Sequence, residues 1–197
     1  MTFQGITMKS MLAAALCLAL LAGCGESKQQ TAKAPSAPSA PVGNVYETVA
    51  AKATGFPVGS MMAARTVYVF FDSQCPHCAA LWRDSKPLLG QVHMIWVPVR
   101  LLADISAQQG AMILSAPDPV AAMDRNEQNR DAGGKGLEPK GDIPKDLTDK
   151  VRANTDLMVS IGGGAVPYLV FKNPATGAPS AYEGGMDTEG LKKLLGL

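Results

Sequence analysis

The chain has 197 residues, enough for one ordinary domain with additional segments. Hydrophobic residues make up 47% of it, which supplies a core, and 18 basic residues against 17 acidic ones leave a formal charge of only +1. So small a net field gives no electrostatic drive toward nucleic acid, and none is expected as a partner.

The N-terminus reads as a targeting segment. Lys9 precedes an unbroken apolar run from Met11 to Leu21, followed by Ala22, Gly23 and Cys24. A basic start, a short apolar stretch and small residues before a cut mark a secretory signal peptide. The run is too short to cross a hydrocarbon layer of ~30 Å as a helix. Leu21-Ala22-Gly23-Cys24 also resembles a bacterial lipobox, which implies cleavage before Cys24 and a lipid attached to it. The other reading is an ordinary signal peptide with an incidental cysteine. Residues 1–23 are therefore expected to be a lipoprotein signal peptide, with Met8 as an alternative start. Residues 24–44, rich in Ala, Pro and Ser, contain almost no large apolar side chain and are expected to form a flexible tether. At about 3 Å per residue, such a tether reaches up to ~60 Å from its anchor. The folded domain is then residues 45–197.

Thr66 to Phe71 (TVYVFF) is rich in β-branched and aromatic residues, as a buried strand should be. Asp72 and Ser73 offer cap-type side chains, and Ala79 to Leu89 follows as a helix that Pro87 bends or ends. Val92 to Val99 is a second strand, and strand–helix–strand makes a parallel unit. Ala103 to Ile161 is mostly helical, with Pro144 suited to a first helical position and Leu147, Val151, Met158 and Ile161 at helical spacing. Gly162, Gly163 and Gly164 stop that helix. Tyr168 to Lys172 is a third strand, Asn173 to Gly177 a turn, and Ala181 to Glu183 a short strand pairing back. Asp187 caps a last helix carrying Leu191, Leu194 and Leu195. The expected fold class is α/β, with a helical block inserted between a βαβ half and a ββα half.

Three further features carry little function. Gly133-Gly134-Lys135-Gly136 lacks the spacing and the Ser/Thr of a phosphate loop and reads as a turn between helices. The domain's methionines, from Met61 to Met186, are scattered and read as core filling rather than a copper site. His93 lies on a strand without an evident partner.

The chemistry is concentrated in Cys75-Pro76-His77-Cys78. If Cys17 leaves with the signal and Cys24 carries lipid, Cys75 and Cys78 are the domain's only thiols, in a compartment that permits a disulfide. Zinc wants four ligands and this motif supplies two. A crosslink over so short a loop restrains little of the unfolded chain. A C-x-x-C at a helix start, by contrast, places both sulfurs on the first turn, close enough to bridge. Unpaired N–H groups and the helix dipole there favour thiolate at Cys75. Pro76 opens the helix without wasting a donor. His77 is either a donor or partial positive charge near the Cys75 sulfur or a solvated spacer. Cys78, one turn further in, is expected to be the more buried, resolving thiol. With dipole, Pro76 and His77 acting together, the Cys75 pKa is expected below about 5.5 and the potential above roughly −180 mV.

Strand, CPHC, helix, helical insertion and then Gly164-Ala165-Val166-Pro167-Tyr168 resemble a thioredoxin-fold protein. Within that fold, Thr66 to Trp82 resembles the catalytic domain of the periplasmic DsbC/DsbG disulfide isomerases, the DsbG branch more closely. The likeness runs from about Gly55 to the C-terminus. Val69 stands where thioredoxins and the oxidant DsbA carry a buried acid, as in the isomerase branch. The CPHC tetrapeptide and Val166 before the proline are instead the choices of DsbA, and residues 26–54 leave little room for the family's separate dimerisation domain.

The resemblance implies an enzyme, an envelope thiol–disulfide oxidoreductase. Cys75 would be the nucleophile, Cys78 the resolving thiol, and Pro167 a cis-proline that presents the substrate backbone together with Val166. It implies no cofactor and no metal. The expected substrates are unfolded or partly folded exported proteins, and the expected localisation is the periplasm, with a membrane anchor through lipid on Cys24. A membrane partner of the DsbD kind would recycle a reductase or isomerase, and a DsbB-like partner would recycle an oxidant. A monomer is expected. The alternative from another class is a non-enzymatic copper- or zinc-binding lipoprotein using Cys75 and Cys78.

Overall fold

The computed structural model describes residues 44–197. The expected signal peptide, the lipid-bearing Cys24 and all but the last residue of the tether lie outside the described residues.

The elements run α1 (Val45–Lys52), β1 (Phe56–Gly59), β2 (Thr66–Phe71), α2 (Pro76–Ser85), β3 (His93–Pro98), α3 (Ile105–Ser115), α4 (Pro119–Asp131), α5 (Lys145–Ser160), β4 (Tyr168–Lys172), β5 (Pro179–Glu183) and α6 (Thr188–Leu195). They build one five-stranded sheet in the order β1-β3-β2-β4-β5. β2 and β3 are parallel, with Phe71 opposite Pro98, and every other pairing is antiparallel. The expected α/β class with a helical block is what the structure has: α3, α4 and α5 separate a β1-β2-α2-β3 half from a β4-β5-α6 half. Because β2 and β3 run in parallel, the loops leaving their C-terminal ends share one edge of the sheet, and that edge carries CPHC.

β2 is central, and Val67, Val69, Phe70 and Phe71 on it are all buried. Beneath α2, Trp82 meets Trp96 edge-on with ring centroids 4.9 Å apart, and Phe71 meets Trp96 at 5.5 Å. Edge-to-face pairs of this kind are each worth about 0.5–1.5 kcal/mol beyond their buried area. They fix α2 on the sheet, and its first turn stays at the end of β2. The helical block reaches the same edge because Gly110 lets α3 approach: a Cβ there would stand 2.8 Å from Cβ of Pro98. Asn154 of α5 closes the other side, donating to Thr54 O at 2.8 Å and Pro98 O at 3.0 Å.

Several expectations need correction. α1 and β1 have no counterpart in the sequence reading. β1 is an edge strand containing Pro57, a residue that argues against a strand unless no ladder bond is demanded of its nitrogen. α2 begins at Pro76, as the cysteine motif implied and three residues ahead of the Ala79 that the helical pattern gave, and its cap is Cys75, not Asp72 or Ser73. It gives way at Lys86–Leu88 to a single 3-10 turn, where Pro87 lacks the amide that would continue an α-helix. Pro144 is the cap of α5, with an extended ψ of 127°, one position before the helix. The strand after Gly177 starts at Pro179 rather than Ala181.

Candidate active site

The chain leaves β2 at Phe71 and turns sharply, the Cys75 N–H donating to Asp72 O at 2.9 Å. Cys75 then caps α2 with extended backbone (φ −87°, ψ 118°), and its own sulfur accepts the Cys78 N–H at 3.3 Å. The role usually taken by a serine or aspartate oxygen is filled by a sulfur, so the free amides of the first turn converge on it. Both thiols are free. Cys75 is 3% exposed and Cys78 is 0% exposed. The expected order of burial is present, but Cys75 is no open thiol at a helix tip, because the loop before β4 covers it.

That loop is built around a cis Val166–Pro167 peptide bond. The Cys75 thiol donates to Val166 O at 3.4 Å, so the structure brings Cys75, Cys78, Val166 and Pro167 together. Glu183 at the end of β5 holds the loop, its Oε2 accepting the N–H groups of Gly164 at 2.9 Å and Ala165 at 3.0 Å. The Gly184 N–H donates to Pro167 O at 2.9 Å.

The two thiols have opposite electrostatics. Cys75 is lowered from 9.0 to about 7, first by the hydrogen bond from the Cys78 thiol, against the opposing effect of burial. The backbone N–H groups of Cys78 and His77 lower it further, and the negative charge of Asp72 raises it. Cys78 is pushed well above 9.0, chiefly by burial and then by its bond and charge relation to Cys75. The expectation of a pKa below about 5.5 is therefore too low. Burial and Asp72 both oppose the thiolate, and the contribution of His77 comes from its backbone amide, not its ring. The His77 side chain is exposed, at the α2 end that lies against Gly185.

Sequence reasoning missed the polar network behind the cysteines. Gln109 of α3, fully buried, accepts from Ser73 Oγ at 2.8 Å and Gln74 Nε2 at 2.6 Å. Its own amide donates to Lys135 O at 2.6 Å and Leu137 O at 2.9 Å. From α4, Asn126 Nδ2 and Arg130 donate to Ser73 O at 3.1 and 3.0 Å. The Gly133–Gly136 segment is a turn, and it is also the clasp of this network: Gly136 has φ +82°, and a Cβ on it would stand 2.4 Å from Asn126 Oδ1. Polar Ser106 and Gln109 among the buried positions of α3 were the available signal. Among the described residues no group of three or more His, Cys, Asp and Glu side chains is placed to hold a metal ion.

A central β2, a dithiol capping the following helix and a cis-proline against its first sulfur define a thioredoxin-fold protein with a dithiol site. Comparison with known proteins agrees. Over 140 residues the chain is 30% identical to the thiol:disulfide interchange protein DsbG of Pseudomonas aeruginosa, a match covering 70% of this chain and 54% of that protein. The chain is thus similar in sequence to a thiol:disulfide interchange protein and spans about half the length of that curated relative. Among solved structures, a periplasmic thioredoxin-like protein from Salmonella enterica serovar Typhimurium superposes with a TM-score of 0.60 at 13% identity, over 80% of this chain and 97% of that one. The catalytic domain of Proteus mirabilis ScsC gives 0.60 at 17% identity, over 76% and 96%. DsbA2 of Pseudomonas aeruginosa gives 0.57 at 20% identity, over 70% and 90%. No family model matches the chain.

Proposed function

We propose that the protein is a periplasmic thiol–disulfide oxidoreductase that exchanges disulfides with exported proteins. The observation that carries this reading is the Cys75 sulfur, which receives the Cys78 N–H at 3.3 Å and lies against the cis-proline loop through Val166 O at 3.4 Å. In the reducing direction the Cys75 thiolate attacks one sulfur of a substrate disulfide, and the second substrate sulfur leaves as a thiolate. Cys78 then loses its proton and attacks the Cys75 sulfur. The substrate's remaining sulfur leaves, and two electrons have passed from the domain to the substrate. Val166 and Pro167 offer main chain beside the reacting sulfurs, where an extended substrate segment pairs as a strand would.

A Cys75 pKa of about 7 supports a reductase or isomerase over a strong oxidant. Thiolate formation at Cys75 then does little to stabilise the dithiol at neutral pH. A membrane reductase of the DsbD kind is the matching electron donor, whereas a DsbB-like partner would serve only the oxidant. Lipid on Cys24, with residues 24–44 as a tether, would hold the domain at the envelope membrane.

Cysteine trapping tests the reading. Cys78→Ala should accumulate mixed disulfides with exported proteins, and Cys75→Ala should trap almost none. Equal trapping by both variants, or by neither, contradicts it. Replacing Cys24 with Ala should release the protein from membranes, and unchanged membrane association would refute the anchor.

A further inference from the structure

Asp72 is a fully buried carboxylate three residues ahead of Cys75. Its Oδ1 accepts the Gln74 N–H at 2.8 Å and the Ser106 hydroxyl at 2.6 Å. Its Oδ2 accepts the Leu101 N–H at 2.7 Å and the Leu102 N–H at 2.8 Å. Three of these donors are backbone amides with nothing to accept a proton, so the carboxylate takes part as an acceptor. Among the described residues no lysine, arginine or histidine pairs with it, and Arg100 on the adjoining loop is paired with Asp104 instead.

The Asp72 carbonyl also accepts the Cys75 N–H at 2.9 Å, which ties the residue to the redox loop. A buried negative charge screened only by hydrogen-bond dipoles keeps its influence over short distances, because little water intervenes. Other charged or titratable side chains also stand around the redox loop, and Glu127, buried beside Asn126, keeps one carboxyl oxygen without a hydrogen-bond partner. Arg130 donates to Ser73 O, Glu183 holds the Gly164 and Ala165 amides, and the exposed His77 contributes its backbone.

We propose that Asp72 is the positioning residue that tunes the dithiol: its uncompensated charge, locked in place by donors from the redox loop, the β3–α3 loop and α3, opposes negative charge on Cys75 and Cys78. The proposal rests on the reading of Cys75 and Cys78 as the reactive pair. Asp72 would thus hold the site away from the strongly acidic thiol that the CPHC sequence leads one to expect. Ser106, which bonds the carboxylate without carrying charge, supplies the control.

The test is a pH titration of thiolate absorbance in the reduced full-length protein. Asp72→Asn keeps the shape and removes the charge, and the Cys75 midpoint should fall below its value of about 7. Asp72→Ser, small enough to admit water to the freed amides, should shift it in the same direction. Ser106→Ala loosens the same loop but keeps the charge, and it should not lower the midpoint. A midpoint that is unchanged or raised in the neutral variants would overturn the proposal, as would a Ser106→Ala midpoint that falls as far as that of Asp72→Asn. The titration reads the thiols directly, so it stands apart from whether the protein exchanges disulfides with exported substrates.

Discussion

The two sides of the redox loop are held in different ways. Toward the helical block, Ser73 and Gln74 are gripped by the buried side chains of Gln109 and Asn126 and by Arg130. Toward β4 the cis-proline loop is held by one glutamate, Glu183, whose two bonds go to the exposed amides of Gly164 and Ala165. Breaking a buried network strands polar groups away from water, whereas the amides on the Glu183 side find water at once. The difference assigns a division of labour. Under the proposed function, one wall would fix the Cys75 sulfur for attack, and the opposite wall would yield cheaply when a substrate segment replaces the contact between Cys75 and Val166.

The largest effect should come from cutting the stiff wall at its centre. Gln109→Ala leaves the Leu137 carbonyl and the Ser73 hydroxyl without partners and the Lys135 carbonyl with Gln74 Nε2 alone, and it should lower stability by about 2–4 kcal/mol in urea unfolding. Gly136→Ala attacks the same wall through the backbone. A positive φ and a 2.4 Å approach to Asn126 Oδ1 should cost about 1–3 kcal/mol.

On the yielding wall, Glu183→Ala should cost no more than about 1 kcal/mol, because solvent replaces the lost acceptor. A cost equal to that of Gln109→Ala would erase the comparison. The smallest effect concerns Glu127, a buried carboxyl beside Asn126 whose pKa is raised, chiefly by burial. A raised folded value favours the protonated form, so its contribution is fully present below the unfolded value of 4.5 and is lost as pH rises through the folded one. Glu127→Gln keeps the bond to Asn126 and should therefore stabilise the protein by about 1 kcal/mol at neutral pH, with no gain in acid. Unfolding curves at both pH values check the sign.

How legible each feature was depends on how local its cause is. The β2 strand, the helix start at CPHC, the helical character of the insertion and the 168–172 strand are written in consecutive residues, and sequence patterns located them, though not the division of the insertion into three helices. β1 was hidden because Pro57 masks a strand that only its pairing with β3 specifies. Gln109 bonds side chains 36 and 35 positions away, a relation no local pattern carries. Asp72 looked like a helix cap because its partners, Leu101, Leu102 and Ser106, lie on segments that meet it only after folding. The Cys75 pKa was misjudged for the same reason. The favourable amides are local, while burial by the cis-proline loop is not.

Cys75 and Cys78 are chemically unequal in this structure, and alkylation of the reduced protein across pH reads that inequality thiol by thiol. Mass mapping with iodoacetamide should show Cys75 reacting with a midpoint of about 7, while Cys78 stays unmodified past 9.0. Because the Cys75 pKa is depressed on folding, that thiol stabilises the reduced protein fully above 9.0 and loses the contribution as pH falls through about 7. A chevron series over that range should therefore show the reduced form gaining stability from this group with rising pH. Two thiols alkylated together with a common midpoint near 9.0 would contradict the account.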